Sequence, residues 1–237
     1  MFPLRDTVRS RTFPLVNLAL IGLNIVVFLL ELSSGPQGLD RLLGTYALIP
    51  ARLSWAQPLT GITLLTSAFL HGGWFHLLSN MWTLFIFGDN VEDRMGHMRY
   101  LIFYLLAGAA AGAAQVVFDP LSRLPTVGAS GAIAGVLGAY FILYPQGRVL
   151  TFLPLFILPW FVEIPAYFFL GIWFISQLSS GLFNLGAAGT PGSYGGIAWW
   201  AHVGGFVFGL ILVNVFARRR SRRVTWPAEG FGPPYLE

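Results

Sequence analysis

Apolar residues in this chain are gathered into long segments that contain few charged side chains. A helix needs roughly 20 apolar residues to cross the hydrocarbon core of a bilayer. Six segments approach that length, at about 14–31, 74–89, 99–118, 127–145, 161–183 and 197–217. The pattern therefore predicts an all-α membrane protein in which residues 14–217 form a single bundle of six transmembrane helices.

The stretches between and beyond these segments differ in composition. Residues 146–159 form an apolar run that contains two prolines, Pro154 and Pro159, which interrupt helices. We therefore interpret the run as an interfacial connection and not as a seventh span. The loop at 33–62 is long for a helix connection, which indicates that it is structured or functional. Residues 1–13 are expected to be a cytoplasmic segment, and residues 218–237 a basic and then disordered cytoplasmic tail.

Composition and charge support a membrane protein and predict its orientation. Mean hydropathy is +0.68, and 10% of the residues are charged, against about 25% in a typical soluble domain. All 14 basic residues are arginines. If the N-terminus is cytoplasmic, only Arg41, Arg52 and Arg123 lie outside, which satisfies the positive-inside rule. We therefore expect a multi-pass membrane protein with both termini in the cytoplasm, which interacts with the lipid bilayer and not with nucleic acid. The membrane that we assign to it is a bacterial inner membrane.

The residue types present exclude several chemistries. The chain has no cysteine, which excludes a thiolate nucleophile, a disulfide and a cysteine-ligated metal. A zinc protease of the H-E-x-x-H type needs an acid directly after its first histidine, whereas His76 is followed by leucine. Asp89 and Asp119 lie at predicted helix ends on opposite sides of the membrane, which excludes a catalytic aspartate pair. No metal and no cofactor are expected.

Three reactive side chains lie near the same end of three predicted helices. In the predicted topology the second, fourth and sixth helices run from outside to inside. His76, Ser130 and His202 each follow the outer end of their helix by only a few residues. Five residues of helix rise roughly 7–8 Å. The three side chains therefore lie at a similar shallow depth below the outer surface, where they can meet.

Ser130 and His202 are the candidate nucleophile and base, because a serine hydroxyl needs an imidazole to take its proton. Both precede small residues at helical spacing, and such faces let two membrane helices approach closely. The glycines concerned are Gly131, Gly135 and Gly138 after the serine, and Gly205 and Gly209 after the histidine. No acid lies in the outer halves of these helices, which leaves a Ser–His dyad. The alternative is that Ser130 only forms a hydrogen bond between helices.

His76 and Asn80 are four residues apart and share one face of the second predicted helix. Acyl transfer needs hydrogen-bond donors directed at the developing oxyanion. The ring N–H of His76 and the amide of Asn80 can supply them, together with the backbone N–H of Ser130. The alternative is that both side chains only bind neighbouring helices.

Three further ionisable residues have less specific interpretations. We expect His71 to be structural or to order its loop, and His97 to be solvated in a cytoplasmic loop. Glu163 fits the first turn of the fifth helix, where the helix dipole favours an anion. The alternative for Glu163 is a proton relay.

The pattern resembles the rhomboid family of intramembrane serine proteases over residues 60–215. Four motifs carry the resemblance: His71-x4-His76-x3-Asn80, Gly88 to Gly96 with Glu92 and Arg94, Gly128-x-Ser130-Gly131, and Ala201-His202-x-Gly204-Gly205-x3-Gly209. The resemblance implies a six-helix core in which Ser130 is the nucleophile, His202 the base, and His76 and Asn80 assist the oxyanion. It further implies that the substrates are single transmembrane helices, and that helix five with the loop above it is the substrate gate.

Two positions depart from the pattern of some family members. Where those members carry an aromatic residue that stacks on the catalytic histidine, this chain has Ala134, so His202 must be oriented in another way. The first outer loop has Ile62-Thr63 where those members have a Trp-Arg pair. Neither change removes a catalytic group.

The sequence thus predicts a serine endopeptidase that cleaves transmembrane helices near the outer membrane face. One alternative is a proteolytically inactive relative that binds membrane proteins, against which the intact Ser130 and His202 argue. The other is a small-solute transporter. A transporter would need polar residues that continue into the inner half of the bundle, and the fourth and sixth helices are apolar there.

Overall fold

The computed structural model describes residues 1–54, 56–155, 158–186 and 197–218 of the 237-residue chain. Within these ranges the chain forms eight α-helices, three short 3-10 helices at Pro50–Arg52, Pro58–Ile62 and Ser67–Phe69, and three β-strands. The α-helices are α1 (Leu15–Ser33), α2 (Gly35–Tyr46), α3 (Thr63–Thr66), α4 (Trp74–Met95), α5 (His97–Phe118), α6 (Ser130–Leu143), α7 (Ala166–Gly186) and α8 (Trp199–Phe216). The strands are β1 (Phe2–Asp6), β2 (Arg148–Leu155) and β3 (Leu158–Pro165).

Each predicted apolar segment overlaps one helix of 14 to 22 residues, but the six helices are not equivalent. Four of them, α1, α5, α7 and α8, are by length and composition able to cross a membrane. Helix α6 has only 14 residues, or about 21 Å at the usual rise, which is shorter than the hydrocarbon core. Helix α4 has 22 residues but carries polar side chains in its first half and charged side chains near its end. The count of six transmembrane helices therefore stays a prediction.

Helix α6 lies at the centre of the bundle and packs against α4, α5 and α8. Its residues from Gly131 to Tyr140 are all buried. A Cβ atom added at Gly205 or Gly209 would overlap a backbone carbonyl oxygen of α6. The two backbones therefore touch along this seam, and that close approach sets the position of α8 relative to the start of α6.

The segment before α7 is a β-hairpin, which corrects the expected start of the fifth helix and the expected place of Glu163. Strands β2 and β3 pair antiparallel, and β1 adds to the free edge of β2. Within the expected interfacial connection at 146–159, residues 148–155 and 158–159 lie in these strands. The fifth helix begins at Ala166 instead of 161, because the residue before a proline avoids the helical region and Pro165 is preceded by extended chain. Glu163 accordingly lies exposed in β3 and not in the first turn of a helix.

The start of α1 is held by a buried carboxylate of α4. Glu92 accepts hydrogen bonds from the backbone N–H groups of Val16 at 2.9 Å and Asn17 at 2.7 Å, where the positive end of the helix dipole stabilises an anion. The Nδ1 atom of His97 lies 2.5 Å from the same carboxylate. Glu92 thus belongs to α4, and His97 begins α5 as a half-exposed partner of a buried acid instead of a solvated loop residue.

The N-terminal segment is also attached to the bundle. The carboxylate of Asp6, at the end of β1, accepts hydrogen bonds from the hydroxyl of Tyr140 at 2.6 Å and the amide of Asn90 at 2.9 Å. Strand β1 therefore joins the hairpin to the end of the bundle opposite Ser130. The predicted tail beyond residue 218 lies outside the described residues.

Candidate active site

The candidate site begins at the turn before α6. Gly128 has a φ of +119°, a conformation that residues with a side chain rarely adopt. Its N–H donates to the carbonyl of Ser67 at 2.9 Å, and a Cβ atom at this position would lie only 2.6 Å from Nε2 of His76. Glycine is required here for its backbone and for its lack of a side chain, and it allows the ring of His76 to reach the start of α6.

Ser130 and His202 are in direct contact. The glycine seam between α6 and α8 places Ser130 Oγ 2.8 Å from His202 Nε2. This distance is within the normal range for a hydrogen bond between a hydroxyl and a ring nitrogen. Both side chains are partly buried and line the same cavity. The arrangement is suited to transfer of the hydroxyl proton to the imidazole.

A residue that sequence reasoning missed contacts the other side of the imidazole. Gln177 of α7 places Oε1 2.7 Å from Nδ1 of His202, and its side chain is buried. The sequence shows no acid in the outer halves of the helices that carry Ser130 and His202. The partner of the imidazole is instead an amide on a third helix. The position of Gln177 in the sequence could have indicated a role, since a polar residue in the middle of a predicted span needs a partner or a function.

The imidazole of His202 also contacts two indole rings. The ring of Trp173 lies 5.9 Å from it, centroid to centroid, and the ring of Trp199 lies 6.3 Å away at 90°. Ala134, where some family members have an aromatic residue, is fully buried. Side chains from α7 and from the start of α8 therefore surround the imidazole without an aromatic residue on α6.

The two candidate oxyanion residues both face the turn at Gly128. Nδ1 of His76 is the acceptor for the backbone N–H of Gly72 at 3.4 Å, which leaves the proton on Nε2, the atom nearest Gly128. The amide nitrogen of Asn80 is buried and has no hydrogen-bond partner among the described residues. The site thus contains two N–H donors that are free to bind a further oxygen atom.

His71 lies outside the helices and behind His76. Its backbone N–H is 3.2 Å from both carboxylate oxygens of Glu31, and its ring packs edge-on against the ring of His76 at 5.2 Å. Burial lowers the pKa of His71 to about 4, so its ring is neutral at physiological pH. These contacts support the ring of His76 and give His71 no route to the cavity.

A cavity of about 900 Å³ opens above these side chains. Besides Ser130, His202, His76 and Asn80, it is lined by the loop at 119–127, the end of α7 and the start of α8. Aromatic and aliphatic residues form most of its walls, among them Phe75 of α4, Leu121 of the loop and Trp199 of α8. Among the described residues, no three His, Asp or Glu side chains are close enough together to hold a metal ion.

Comparison with known proteins identifies the family. Residues 59–219 match the Rhomboid domain. Rhomboid protein 1, mitochondrial, of Saccharomyces cerevisiae is 30% identical over 214 residues, which are 87% of this chain and 56% of that protein. Rhomboid protease GluP of Bacillus subtilis is 37% identical over 118 residues, 48% of this chain and 22% of that protein.

The human presenilin-associated rhomboid-like protein, mitochondrial, is 34% identical over 96 residues, 39% of this chain and 25% of that protein. The chain thus spans about half the length of the yeast relative and about a quarter of the other two. The Rhomboid domain nevertheless covers more than half of the chain and includes every residue of the candidate site. The chain therefore belongs to the rhomboid family of multi-pass integral membrane proteins.

Proposed function

We propose that this protein is an intramembrane serine endopeptidase that uses Ser130 and His202 to hydrolyse peptide bonds in transmembrane substrates. The 2.8 Å contact between Ser130 Oγ and His202 Nε2 carries the proposal. Membership of a family that includes a relative named a protease supports it. The same contact argues against an inactive binding protein, which would not need a nucleophile and a base at hydrogen-bond distance.

The reaction follows from the positions of these atoms. His202 Nε2 accepts the hydroxyl proton while Ser130 Oγ bonds to the substrate carbonyl carbon, which gives a tetrahedral oxyanion. When the intermediate collapses, the C–N bond breaks and His202 returns the proton to the leaving amine. Water from the cavity then attacks the acyl-enzyme, with His202 again as the base, and Ser130 is released with a free carboxylic acid product.

The oxyanion is proposed to form beside Gly128. The donors would be Nε2–H of His76, the unpartnered amide of Asn80 and the backbone N–H of Ser130. A preorganised donor of this kind stabilises the developing charge more than the neutral carbonyl. The free amide of Asn80 supports this role over simple binding between helices, since a binding role would leave the amide with a partner.

The proposed substrates are single-pass membrane proteins that enter from the lipid. We place the dyad near the outer face of a bacterial inner membrane, in a six-helix bundle with both termini in the cytoplasm, because that orientation puts most arginines inside. A substrate helix must then pass between α7 and a neighbouring helix to reach the cavity. The loop at 187–196, expected to be part of the gate, lies outside the described residues.

Aromatic contacts form part of the interface between α7 and α8. Phe174 stacks on Phe206 at 4.7 Å, and Trp173 contacts the same ring at 6.0 Å. An aromatic pair contributes about 0.5–1.5 kcal/mol beyond its buried area, which is small enough for reversible opening. Since Trp173 also contacts His202, Phe174 is the residue whose loss tests opening without a direct effect on the dyad.

Labelling with a serine-directed probe tests the proposed function. The purified full chain in detergent should react with a fluorophosphonate, and peptide mapping should find the adduct on Ser130. The Ser130→Ala variant is the matched control and should not be labelled. Labelling at another serine, or undiminished cleavage of a transmembrane substrate by the control, would overturn the proposal.

A further inference from the structure

A chain of hydrogen bonds on α7 ends at the candidate dyad. The hydroxyl of Ser176 donates to the backbone carbonyl of Trp173 at 2.6 Å. Its oxygen accepts a hydrogen bond from Nε2 of Gln177 at 3.0 Å. With its amide nitrogen thus used, Gln177 directs Oε1 at Nδ1 of His202, 2.7 Å away.

The direction of these bonds determines which ring nitrogen of His202 carries the proton. The oxygen of an amide only accepts hydrogen bonds, so Nδ1 must be the donor in its contact with Gln177. A neutral imidazole then has no proton on Nε2. That nitrogen is free to accept the hydroxyl proton of Ser130, which lies 2.8 Å away.

We propose that Gln177 is a positioning residue that fixes the tautomer and the ring orientation of His202. The role rests on the proposed Ser–His mechanism and adds a third, neutral member to it. The group that orients a catalytic histidine elsewhere is often a carboxylate, which also stabilises the imidazolium ion. Here the orienting group is an amide supplied by the helix that carries the aromatic contacts to α8.

The location of Gln177 explains why an amide serves in this place. The side chain is buried in the middle of an apolar helix, where an unpaired carboxylate would carry a large desolvation penalty. An amide accepts the same hydrogen bond without a charge. Both polar ends of Gln177 are bonded, so its burial leaves no polar atom of the side chain unsatisfied.

The arrangement also makes the dyad depend on the position of α7. Ser130 and His202 belong to α6 and α8, whose backbones touch along the glycine seam, but the orienting amide belongs to neither helix. A displacement of α7 away from α8 would remove the acceptor from Nδ1 of His202. The imidazole is therefore correctly oriented only when α7 has closed again on α8, after reversible opening has admitted the substrate.

Two substitutions at position 177 test the role. Gln177→Met keeps the length of the side chain and removes the acceptor. By analogy with metal-binding histidines that lose their outer hydrogen-bond partner, kcat for a transmembrane substrate should fall by about 10–100-fold, with little change in KM. The rate of fluorophosphonate labelling at Ser130 should fall with it. Gln177→Glu keeps an acceptor for Nδ1 and should retain most of the activity of the wild-type protein.

The glutamate variant provides a readout that a packing role would not produce. A carboxylate against Nδ1 stabilises the imidazolium ion, so the pH below which Gln177→Glu loses activity should lie higher than for the wild-type protein. His76, the other histidine that lines the cavity, is the same in both proteins. This shift can be measured even if Gln177→Met fails to fold. Ser179→Ala, an exposed change on the same helix, should match the wild-type protein in every assay.

The outcomes separate this role from the proposed function. Wild-type kcat in folded Gln177→Met, or an unshifted pH profile in Gln177→Glu, would overturn the role of Gln177 while Ser130 labelling still stands. Equal loss of activity in both variants, in parallel with their melting temperatures, would mean that Gln177 only packs the helix. Cleavage by Ser130→Ala would instead overturn the Ser–His mechanism itself.

Discussion

Replacement of Gly128 by alanine perturbs the candidate site without removing any proposed catalytic group. The residue has a φ of +119°, and the added Cβ atom would lie 2.6 Å from Nε2 of His76 and 3.6 Å from the amide nitrogen of Asn80. The substitution therefore has two separate effects. One acts on the backbone, and the other displaces the ring proposed to bind the oxyanion.

The structure provides a magnitude for each effect. A left-handed conformation costs a residue with a side chain roughly 1–2 kcal/mol, so the melting temperature should fall by a few degrees. Ordinary contact begins at 3.4 Å, so the ring must withdraw by about 0.8 Å from a Cβ atom at 2.6 Å. That displacement is enough to lose a hydrogen bond, and the loss of one oxyanion donor lowers kcat by about 10²–10³-fold.

Kinetic and thermal measurements on matched variants distinguish the two effects. Gly35 has a φ of +65° and nothing within 4 Å of an added Cβ atom. Gly35→Ala should therefore lower the melting temperature and leave kcat unchanged. In a protein that already carries His76→Ala, the ring is absent, so adding Gly128→Ala should lower kcat little further. The measurements are kcat and KM with a transmembrane substrate and unfolding followed in the same detergent.

A folded Gly128→Ala protein with the kcat of the wild type would refute this reasoning, since it would mean that the ring of His76 is not needed beside Gly128. Full additivity of Gly128→Ala and His76→Ala would refute it in a different way. In that case the two substitutions would act on independent features, and the overlap of the Cβ atom with the ring would not be the cause of the lost activity.

Three further outcomes are expected. Ser130→Ala and His202→Ala should each fold, and each should cleave a transmembrane substrate at less than about a hundredth of the wild-type rate. The reason is that losing one member of a nucleophile–base pair lowers the catalytic rate by several orders of magnitude. Faster cleavage by either purified variant contradicts the dyad. Asn80→Ala and His76→Ala should each lower kcat by a smaller factor, about 10²–10³ or less, and both variant proteins should still react with the serine probe. Full activity of the double variant would mean that both residues only pack against neighbouring helices. Phe174→Ala should raise kcat for a transmembrane substrate by about 2–10-fold, which corresponds to the free energy of one aromatic contact. Cleavage of a short soluble peptide should change little. Unchanged or slower cleavage of the membrane substrate argues against opening at α7.

Much of the fold and the site could be predicted because it depends on local properties of the chain. The positions of the long helices follow from the length of each apolar segment, and hydropathy is a property of each segment alone. His76 and Asn80 share a face because they are one helical turn apart. Glycines at helical spacing after Ser130 and His202 indicate a close approach of two helices.

Other features depended on partners that are distant in the sequence. The apolar stretch before α7 has the composition of a helix or a strand. Its two strands pair with each other, and β1, more than 140 residues earlier, adds to the edge of β2. Glu163 could not be assigned to a strand from the sequence, because its place depends on the pairing of β3 with β2. The burial of Glu92 likewise follows from its contact with the start of α1, 75 residues away.

The orientation of His202 was decided by the tertiary structure alone. The sequence by itself determined that no aromatic residue on α6 could hold the ring, because that position is Ala134. Which groups act in its place depends on the rotation of α7 about its axis and its distance from α8. A single sequence contains no signal for either quantity, because both result from the packing of many side chains at once, and only this packing brings Gln177 to the imidazole.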